Sequence, residues 1–419
     1  MSFMECTECY CQMDDMTGNH ESNTGREAKK RDKPTVLQVL PSLETGGGGV
    51  ERGAVDVAIT VARSGAKSLV ASNGGAMVLE LERAKVTHFG LPLHSKNPCT
   101  IFANIGRLEK IIREHEVDIV HVRSRAPAWS AFSAARRADV HFVTTFHGAY
   151  TDPGNFLKKH YNSIMTRGEK VIAISRFIGD HIQKTYGLEE DCIRLIYRGI
   201  DLNRFNPAQV SAERMVQLAT EWRLPDGVPV VMLPGRMTRW KGQTMMIDAL
   251  ARLGRHDIRC LLVGSDQGRM GYRKELETLL RRRGLGDIVH VVEHCTDMPA
   301  AYMLADVVVS ASTDPEAFGR VAVESQAMGR PVVASDHGGA RETVRPGKTG
   351  WLFTPGDTGA LAVALERALE LGPEERELLF KTAINYIHKN FSKRKMCSRT
   401  LAVYDEIMAS GRAKRPVLI

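Results

Sequence analysis

Residues 306–335, "DVVVSASTDPEAFGRVAVESQAMGRPVVAS", contain the clearest signal of the fold class. The apolar run "DVVVSAS" predicts a strand, "RVAVESQAMG" a helix and "PVVAS" a second strand, with a Pro- and Gly-containing loop before the helix. Buried parallel strands are written as continuous apolar runs of this kind, and helices connect them. Two acids interrupt the stretch, Glu316 in the loop and Glu324 inside the predicted helix. Their positions indicate that these acids bind a polar ligand near the end of a buried strand.

The same alternation of short apolar runs and helical patterns continues along most of the 419 residues. Runs such as "TVLQVL", "DIVHVR" and "KVIAIS" precede "GIDLNRFNP" (199–207), and the rhythm restarts at "VPVVMLPGR". A chain of this length favours two cores. We therefore predict an α/β fold with two doubly wound Rossmann-like domains facing a cleft. The predicted boundaries are 34–200 and 201–391, with a helix and tail at 392–419 returning to the N-terminal domain.

Composition narrows the class of protein. The chain has 43% hydrophobic and 25% charged residues and a net charge of +8, which suits an anionic substrate or an acidic membrane surface. Basic residues are scattered and rarely alternate with aromatic ones, so no nucleic-acid partner is expected. No apolar run approaches the ~20 residues of a membrane span, and a cytoplasmic protein is expected.

The first 33 residues are polar and lack apolar periodicity, which predicts a disordered N-terminal extension. It carries Cys6, Cys9 and Cys11 in "CTECYC". Two cysteines with two residues between them suit zinc, but a second ligand pair is missing unless a partner supplies it. No metal site is therefore predicted in the chain.

The N-terminal half offers three candidate groups after predicted strands. The first is the glycine run Gly47, Gly48 and Gly49 in "ETGGGGVERGA", which is either a tight turn or a close backbone approach to an anion before a helix. Glycine runs alone do not separate these alternatives.

The second group is Arg123 and Arg125 in "HVRSRAPAW", and the third is His147 in "TTFHGAY". The arginines are either a solvated loop pair or a cationic site for an acceptor phosphate or carboxylate. His147 is either structural or placed at a strand end to meet a ligand.

In the C-terminal half, "LPGRMTRWKGQ" sets Arg236 and Lys241 around a strand-to-helix turn, a combination that suits two phosphates. Gly319 lies at a helix start, where free N–H groups and the helix dipole favour phosphate oxygens. Glu316 is placed to bind sugar hydroxyls and Glu324 a ribose diol. The alternative is a loop acid and a solvated helix acid.

These residues together resemble glycosyltransferase family 4, a retaining family with the two-domain GT-B fold. The resemblance runs from about residue 35 to the C-terminal helices. It rests on Glu316-x7-Glu324, "GRMTRWKG", "FHG", "AISRFIGDHI", "YRGIDLNRFNP" and "LLVG", in that family's order and spacing. Arg198 stands where the commoner family form has Asn. The N-terminal half is similar to bacterial lipopolysaccharide-core and surface-polysaccharide transferases.

The resemblance implies a role for each candidate. Glu316 binds hydroxyls of the transferred sugar, Glu324 binds the ribose, and His147 lies near the anomeric carbon. The residues with implied catalytic roles are His147, Glu316 and the two diphosphate-binding cations, Arg236 and Lys241. Donor-binding residues are Gly47, Gly48, Gly49, Ala317, Phe318, Gly319 and Glu324.

The implied activity is retaining transfer of a hexosyl group from a UDP- or GDP-sugar to a glycan or lipid-linked acceptor, in lipopolysaccharide or surface-polysaccharide synthesis. The leaving phosphate helps to deprotonate the acceptor, so no covalent carboxylate nucleophile is expected. The sequence lacks Asp-x-Asp, and Arg236 and Lys241 supply positive charge, so we expect no metal and no cofactor besides the donor. Two alternatives stay open, a nucleotide-sugar 2-epimerase and a catalytically silent nucleotide-sugar-binding subunit.

The acceptor side is predicted from charge. Arg123 and Arg125 are expected to face the cleft and bind an anionic acceptor. The stretch "NFLKKHYNSIMTRGEK" (155–170) mixes lysine and arginine with apolar residues. It is either a peripheral contact with the cytoplasmic face of the inner membrane or an ordinary solvated helix.

Overall fold

The structure, a computed structural model, describes residues 33–44, 49–150 and 156–410. The predicted N-terminal extension lies outside the described residues except for Lys33. The chain divides into two compact units. The first contains the described residues up to Ala173, together with His181–Ile196 and the segment from Cys397. The second contains Ile174–Asp180 and Tyr197–Met396.

The first unit is built on a seven-stranded parallel sheet in the order β3-β2-β1-β4-β5-β6-β7. Most of its strands are buried along their whole length, because helices cover both faces of a parallel sheet. The strands are β1 (Val36–Val39), β2 (Ser68–Ser72), β3 (Thr87–Gly90), β4 (Ile119–Val122), β5 (His141–Phe146), β6 (Lys170–Ala173) and β7 (Ile193–Leu195). The helices are α1 (Gly49–Arg63), α2 (Val78–Arg83), α3 (Pro98–Glu114), α4 (Arg125–Ala138), α5 (Phe156–Ser163) and α6 (Arg176–Tyr186), whose first half belongs to the second unit.

The second unit repeats this plan with six parallel strands in the order β10-β9-β8-β11-β12-β13. Its strands are β8 (Val230–Pro234), β9 (Arg259–Val263), β10 (Val289–Val292), β11 (Val307–Ser310), β12 (Val332–Ser335) and β13 (Gly350–Phe353). The helices are α7 (Ala212–Glu221), α8 (Gln243–Leu253), α9 (Met270–Arg283), α10 (Met298–Leu304), α11 (Arg320–Ala327), α12 (Ala340–Thr343), α13 (Thr358–Leu369), α14 (Pro373–Asn390) and α15 (Lys393–Ala409), which continues into the first unit from Cys397. The predicted fold class is confirmed.

Each sheet reverses its winding at one point, and that point positions the site. Strands β1 and β4 are neighbours in the first sheet, and β8 and β11 are neighbours in the second. The connections after two such strands leave in opposite directions, so a crevice opens beyond their carboxyl ends. The glycine run follows β1 and Arg123 follows β4, whereas Lys241 follows β8 and Glu316 follows β11.

Helix α15 is fastened to the first unit by buried polar groups. The Tyr404 hydroxyl and His121 Nδ1 lie 2.6 Å apart, and the opposite ring nitrogen lies 2.7 Å from Thr145 Oγ1. Burial, reinforced by the Arg123 charge, holds the pKa of His121 well below its usual range, so the ring is neutral. Glu406, also on α15, forms ion pairs with Arg194 of β7 and with Lys170 of β6, the latter at 2.9 Å.

Among the described residues, no helix is long and apolar enough to cross a membrane.

We expect Tyr404→Phe to lower the free energy of unfolding by about 1–3 kcal/mol, because it leaves His121 Nδ1 buried without its partner. Tyr161→Phe is the matched control, since Tyr161 is only partly buried, and we expect it to change stability little. Urea unfolding followed by tryptophan fluorescence measures both. Equal stability of the Tyr404→Phe variant and the parent would contradict this account of helix docking.

Candidate functional site

Lys241 and Glu316 meet at the carboxyl edge of the second sheet. Lys241 ends a 3₁₀ turn after β8, and Glu316 lies in the loop between β11 and α11. Their charged atoms, Nζ and Oε1, lie 2.7 Å apart, and the side chains are only 13% and 15% exposed. A buried carboxylate is costly without a partner, so the ammonium is what permits it at this position.

Further groups hold the Glu316 carboxylate ionised. The Ser312 hydroxyl donates to Oε1, and Ser310 Oγ lies 3.5 Å from the same oxygen. Burial alone would raise the pKa of Glu316, but the Lys241 charge, the hydrogen bonds from Lys241 and Ser312 and the influence of His337 outweigh it. The net effect is a pKa below the usual 4.5. Stability that depends on this carboxylate is therefore present above about pH 4.5 and is lost as the pH falls further.

The backbone after Glu316 is pinned in place. The Ala317 carbonyl oxygen accepts a hydrogen bond from the Ser175 hydroxyl at 2.6 Å, and the Phe318 ring packs edge-on against Phe391 with centroids 5.7 Å apart. Gly319 has φ +82°, a left-handed conformation that favours glycine, and it caps helix α11. The loop thus delivers the first-turn N–H groups of α11 to the sheet edge, where the helix dipole favours an anion.

A glycine pair after β12 lets a second loop approach the first. The Gly339 N–H donates to the Glu316 carbonyl oxygen at 2.8 Å. A Cβ on Gly338 would lie 2.4 Å from the same oxygen, and one on Gly339 would lie 2.5 Å from Phe318 Cα. This support was not predicted, although "HGG" shortly after an apolar run is a signal for a close backbone approach.

Glu324 is buried rather than solvated, with 7% of the residue exposed. Its Oε2 accepts from the Tyr302 hydroxyl at 2.9 Å, and its Oε1 accepts from Arg320 at 2.6 Å. The solvated-helix alternative is therefore wrong for this residue. Ribose binding by Glu324 stays a prediction.

Arg236 lies two residues after the end of β8, and the residue is exposed. Its carbonyl oxygen accepts a hydrogen bond from Gln243 Nε2 at 3.0 Å, which fixes the backbone while leaving the guanidinium at the surface. Of the two cations predicted for this sheet edge, Lys241 is therefore mostly buried and Arg236 is exposed.

In the first unit, Arg123 is not the exposed cation that the sequence predicted. Only 4% of the residue is exposed, and Nε donates to Gln38 Oε1 at 2.9 Å. Burial lowers the pKa of Arg123, and the neighbouring Tyr404 and Cys397 partly offset this effect. The expectation fails because partners from distant parts of the chain enclose this strand end. The guanidinium belongs to the polar cluster that also fastens α15.

Arg125 and His147 are brought close to one ring. The Arg125 guanidinium lies 4.1 Å from the centre of the Tyr150 ring and donates to Asn162 Oδ1 at 2.9 Å. The backbone N–H of His147 donates to the Tyr150 hydroxyl at 3.4 Å. Tyr150 was not predicted, and it links the loops after β4 and β5. Of the predicted glycines, Gly49 begins α1, whereas Gly47 and Gly48 lie outside the described residues.

Two family models match the chain. Glycosyltransferase Family 4 matches residues 47–204, and Glycosyl transferases group 1 matches residues 217–385. A glycosyltransferase from Rickettsia africae ESF-5 is 36% identical in sequence, with a TM-score of 0.83 over 90% of this chain and 99% of that one. The chain belongs to glycosyltransferase family 4.

Other members of the family differ in what their names state. The D-inositol 3-phosphate glycosyltransferase of Xylanimonas cellulosilytica is 30% identical over 281 residues, which are 64% of this chain and 67% of that enzyme. Anabaena Alr3699/HepE, solved in complex with UDP-glucose, is 25% identical with a TM-score of 0.77, over 89% of this chain and all of that one. This glycosyltransferase therefore shares the GT-B fold class and the transferase activity that the sequence predicted.

The ion pair of this glycosyltransferase yields a stability prediction. We expect Lys241→Met to cost about 3 kcal/mol of unfolding free energy, because it leaves the Glu316 carboxylate buried and unpaired. The double variant with Glu316→Gln should be markedly more stable than the sum of the two single changes implies. Urea unfolding of the four proteins gives this coupling.

The control cycle uses Arg239→Met and Glu275→Gln, an ion pair whose side chains are 70% and 41% exposed. Its coupling should fall within about 0–1 kcal/mol. Additive effects at Lys241 and Glu316 would show that the buried pair does not stabilise the site.

Proposed function

We propose that this glycosyltransferase moves a hexosyl group, with retention of configuration, from a UDP- or GDP-sugar to a glycan or lipid-linked acceptor in lipopolysaccharide or surface-polysaccharide synthesis. The observation that carries the proposal is the mostly buried Lys241–Glu316 pair at the edge where β8 and β11 end. A cation and an anion side by side match a donor that carries a diphosphate next to a polyhydroxylated ring.

Each charge has a partner in such a donor. In the proposed complex the Lys241 ammonium moves from Glu316 to a phosphate oxygen, and the N–H groups in the first turn of α11 bind the same diphosphate. The ionised Glu316 carboxylate is then free to accept hydrogen bonds from sugar hydroxyls. HepE, a relative with the same fold, was solved with UDP-glucose, which supports a nucleotide-sugar donor here.

Cleavage of the sugar–phosphate bond separates positive charge on the sugar from negative charge on the diphosphate. The bond between the anomeric carbon and the phosphate oxygen breaks, its electron pair stays with the nucleoside diphosphate, and the sugar becomes oxocarbenium-like. Lys241, Arg236 and the α11 N-terminus stabilise the leaving dianion most in the transition state. The acceptor hydroxyl attacks from the same face and passes its proton to the departing phosphate oxygen, which gives retention.

Glu316 is a binding group in this scheme and not a covalent nucleophile. Its Oε1 accepts from both Lys241 and Ser312, and these contacts lower its pKa and its basicity. A carboxylate so occupied is suited to orient hydroxyls. We assign His147 to the side of the sugar near the anomeric carbon and Glu324 to the ribose.

The acceptor side is assigned to Arg125. Its guanidinium is held by the Tyr150 ring and Asn162 and is half-buried, so little side-chain entropy is lost when it binds an anion. The Xylanimonas relative is named for inositol 3-phosphate, a phosphorylated compound. This name supports an anionic group on the acceptor of the present enzyme.

A membrane contact is assigned to α5. Phe156 and Leu157 are each 78% exposed, and Lys158 and Lys159 follow them directly. Apolar side chains next to lysines fit the boundary of an anionic leaflet. We propose that α5 rests on the cytoplasmic face of the inner membrane, where a lipid-linked acceptor is presented.

Glu316→Gln should abolish transfer, with a fall of at least about 100-fold in kcat, while the Kd for the nucleoside diphosphate stays within about threefold. The carboxylate is proposed to touch the sugar and not the nucleotide. Glycosyl transfer to acceptor and isothermal titration with UDP and GDP measure the two effects. Glu275→Gln is the control. A variant that kept full turnover and lost nucleotide affinity would reverse the assigned roles.

Activity should persist in excess EDTA, because Lys241 and Arg236 are proposed to supply the positive charge that a divalent ion supplies in metal-dependent glycosyltransferases. Initial rates with and without chelator, after dialysis against EDTA, give the test. A loss that added Mg²⁺ or Mn²⁺ restores would show that the cations of the chain are insufficient.

Arg125→Ala should raise the acceptor KM by about 10- to 150-fold, corresponding to the roughly 1.5–3 kcal/mol of a hydrogen bond to a charged group. The donor KM should stay nearly constant. Arg136→Ala on the last turn of the same helix is the control. Unchanged acceptor kinetics, or a change in the donor KM alone, would remove Arg125 from the acceptor site.

A further inference from the structure

A small polar cavity opens beside Glu316 in the second unit. It is lined by three serines together with Glu316, His337 and small residues. The volume accessible to a water-sized group is about 10 Å³, room for a single water or a single hydroxyl group. A sugar ring cannot enter, but one hydroxyl of a ring bound at Glu316 can.

Two of the residues that line this cavity each carry a buried polar atom with no hydrogen-bond partner among the described residues. The atoms are Ser335 Oγ and His337 Nδ1. Ser335 ends strand β12 and is 2% exposed as a residue. Buried polar atoms are almost always hydrogen-bonded, so two unsatisfied ones at the same cavity point to a ligand group that supplies the bonds.

The hydrogen bond at the other ring nitrogen of His337 decides what Nδ1 can bind. Nε2 lies 2.9 Å from the carbonyl oxygen of Ser312. A carbonyl oxygen only accepts, so Nε2 carries the proton, and in the neutral ring Nδ1 is an acceptor. The group that enters must donate to Nδ1, and the Ser335 hydroxyl can donate to it or accept from it. A neutral sugar hydroxyl meets these requirements, because it both donates and accepts.

We propose that Ser335 and His337 form a specificity wall that binds one hydroxyl of the transferred sugar, with the hydroxyl donating to His337 Nδ1. The proposal rests on the proposed function and deepens it, because it assigns the sugar selectivity of the enzyme to the end of β12. In the proposed complex, Glu316 and the wall contact the sugar from the carboxyl ends of two adjacent strands, β11 and β12.

Three variants separate this role from a structural one. Asparagine places its side-chain oxygen near the position of His Nδ1, whereas glutamine places its amide nitrogen near that of His Nε2. His337→Asn therefore keeps the acceptor and loses the contact to Ser312, and His337→Gln does the reverse. Ser335→Ala removes only the hydroxyl. His256→Gln, on an exposed loop of the same unit, is the control.

The readout is the ratio of the Kd for a nucleoside diphosphate to the Kd for its sugar conjugate, measured by titration with UDP, UDP-glucose, UDP-galactose, GDP and GDP-mannose. For the pair that binds the parent enzyme best, His337→Gln and Ser335→Ala should each lower this ratio by about tenfold, the effect of one lost hydrogen bond. His337→Asn should retain most of it. The Kd for the free nucleotide should not change.

Deoxyfluoro donors test the direction of the bond. Fluorine cannot donate, so replacing the hydroxyl that enters the cavity should weaken binding to the parent by about tenfold and leave His337→Gln unaffected.

Unchanged ratios in both His337→Gln and Ser335→Ala would overturn the wall. Parallel losses of nucleotide and nucleotide-sugar affinity in these variants would also overturn it, since they indicate a structural role. If the parent binds none of the five compounds, the proposed donor fails together with the wall. If the parent binds and transfers normally while the variants match it, the wall alone fails.

Discussion

The Lys241–Glu316 ion pair is the constraint around which the second unit is organised. The two opposite charges are largely buried at a sheet edge, and their mutual attraction offsets the free-energy cost of their desolvation. The pair forms because β8 and β11 are adjacent and both are followed by tight connections. Gly242 permits the turn after β8 to lie close to the chain after β11, since a Cβ on Gly242 would lie 1.9 Å from the Ala311 carbonyl oxygen. A ligand that separates the charges must replace both partners at once, and the proposed diphosphate sugar carries the phosphate oxygens and the hydroxyls that this requires.

The first unit has the same strand arrangement, but the arginine at the end of its central strand β4 stabilises the fold. At the end of β4, Arg123 is withdrawn into a buried network with Gln38 and Tyr404, which ties α15 to the sheet. The accessible cation is Arg125, held by Tyr150 and Asn162. One short stretch therefore contains a positioning arginine and an acceptor-binding candidate two residues apart, and only burial distinguishes them.

The sequence predicted much of the fold because buried parallel strands are continuous apolar runs and the carboxyl ends of such strands carry the polar residues. Lys241 and Glu316 were found in this way. The burial of Arg123 was not predicted, since Gln38 lies 85 residues away in the chain and periodicity carries no information on such pairs. The Ser335–His337 wall was also not predicted. A serine and a histidine at a strand end do not stand out in the sequence as charged residues do, and their significance comes from polar atoms that the fold buries without a hydrogen-bond partner.

A crystal structure of the enzyme with an intact nucleotide sugar, or with a non-hydrolysable analogue, tests the role of the ion pair most directly. We expect the Lys241–Glu316 pair to open in that complex, with the ammonium within about 3 Å of a phosphate oxygen and the carboxylate within about 3 Å of a sugar hydroxyl. A diphosphate bound elsewhere, with the 2.7 Å pair unbroken, would contradict it.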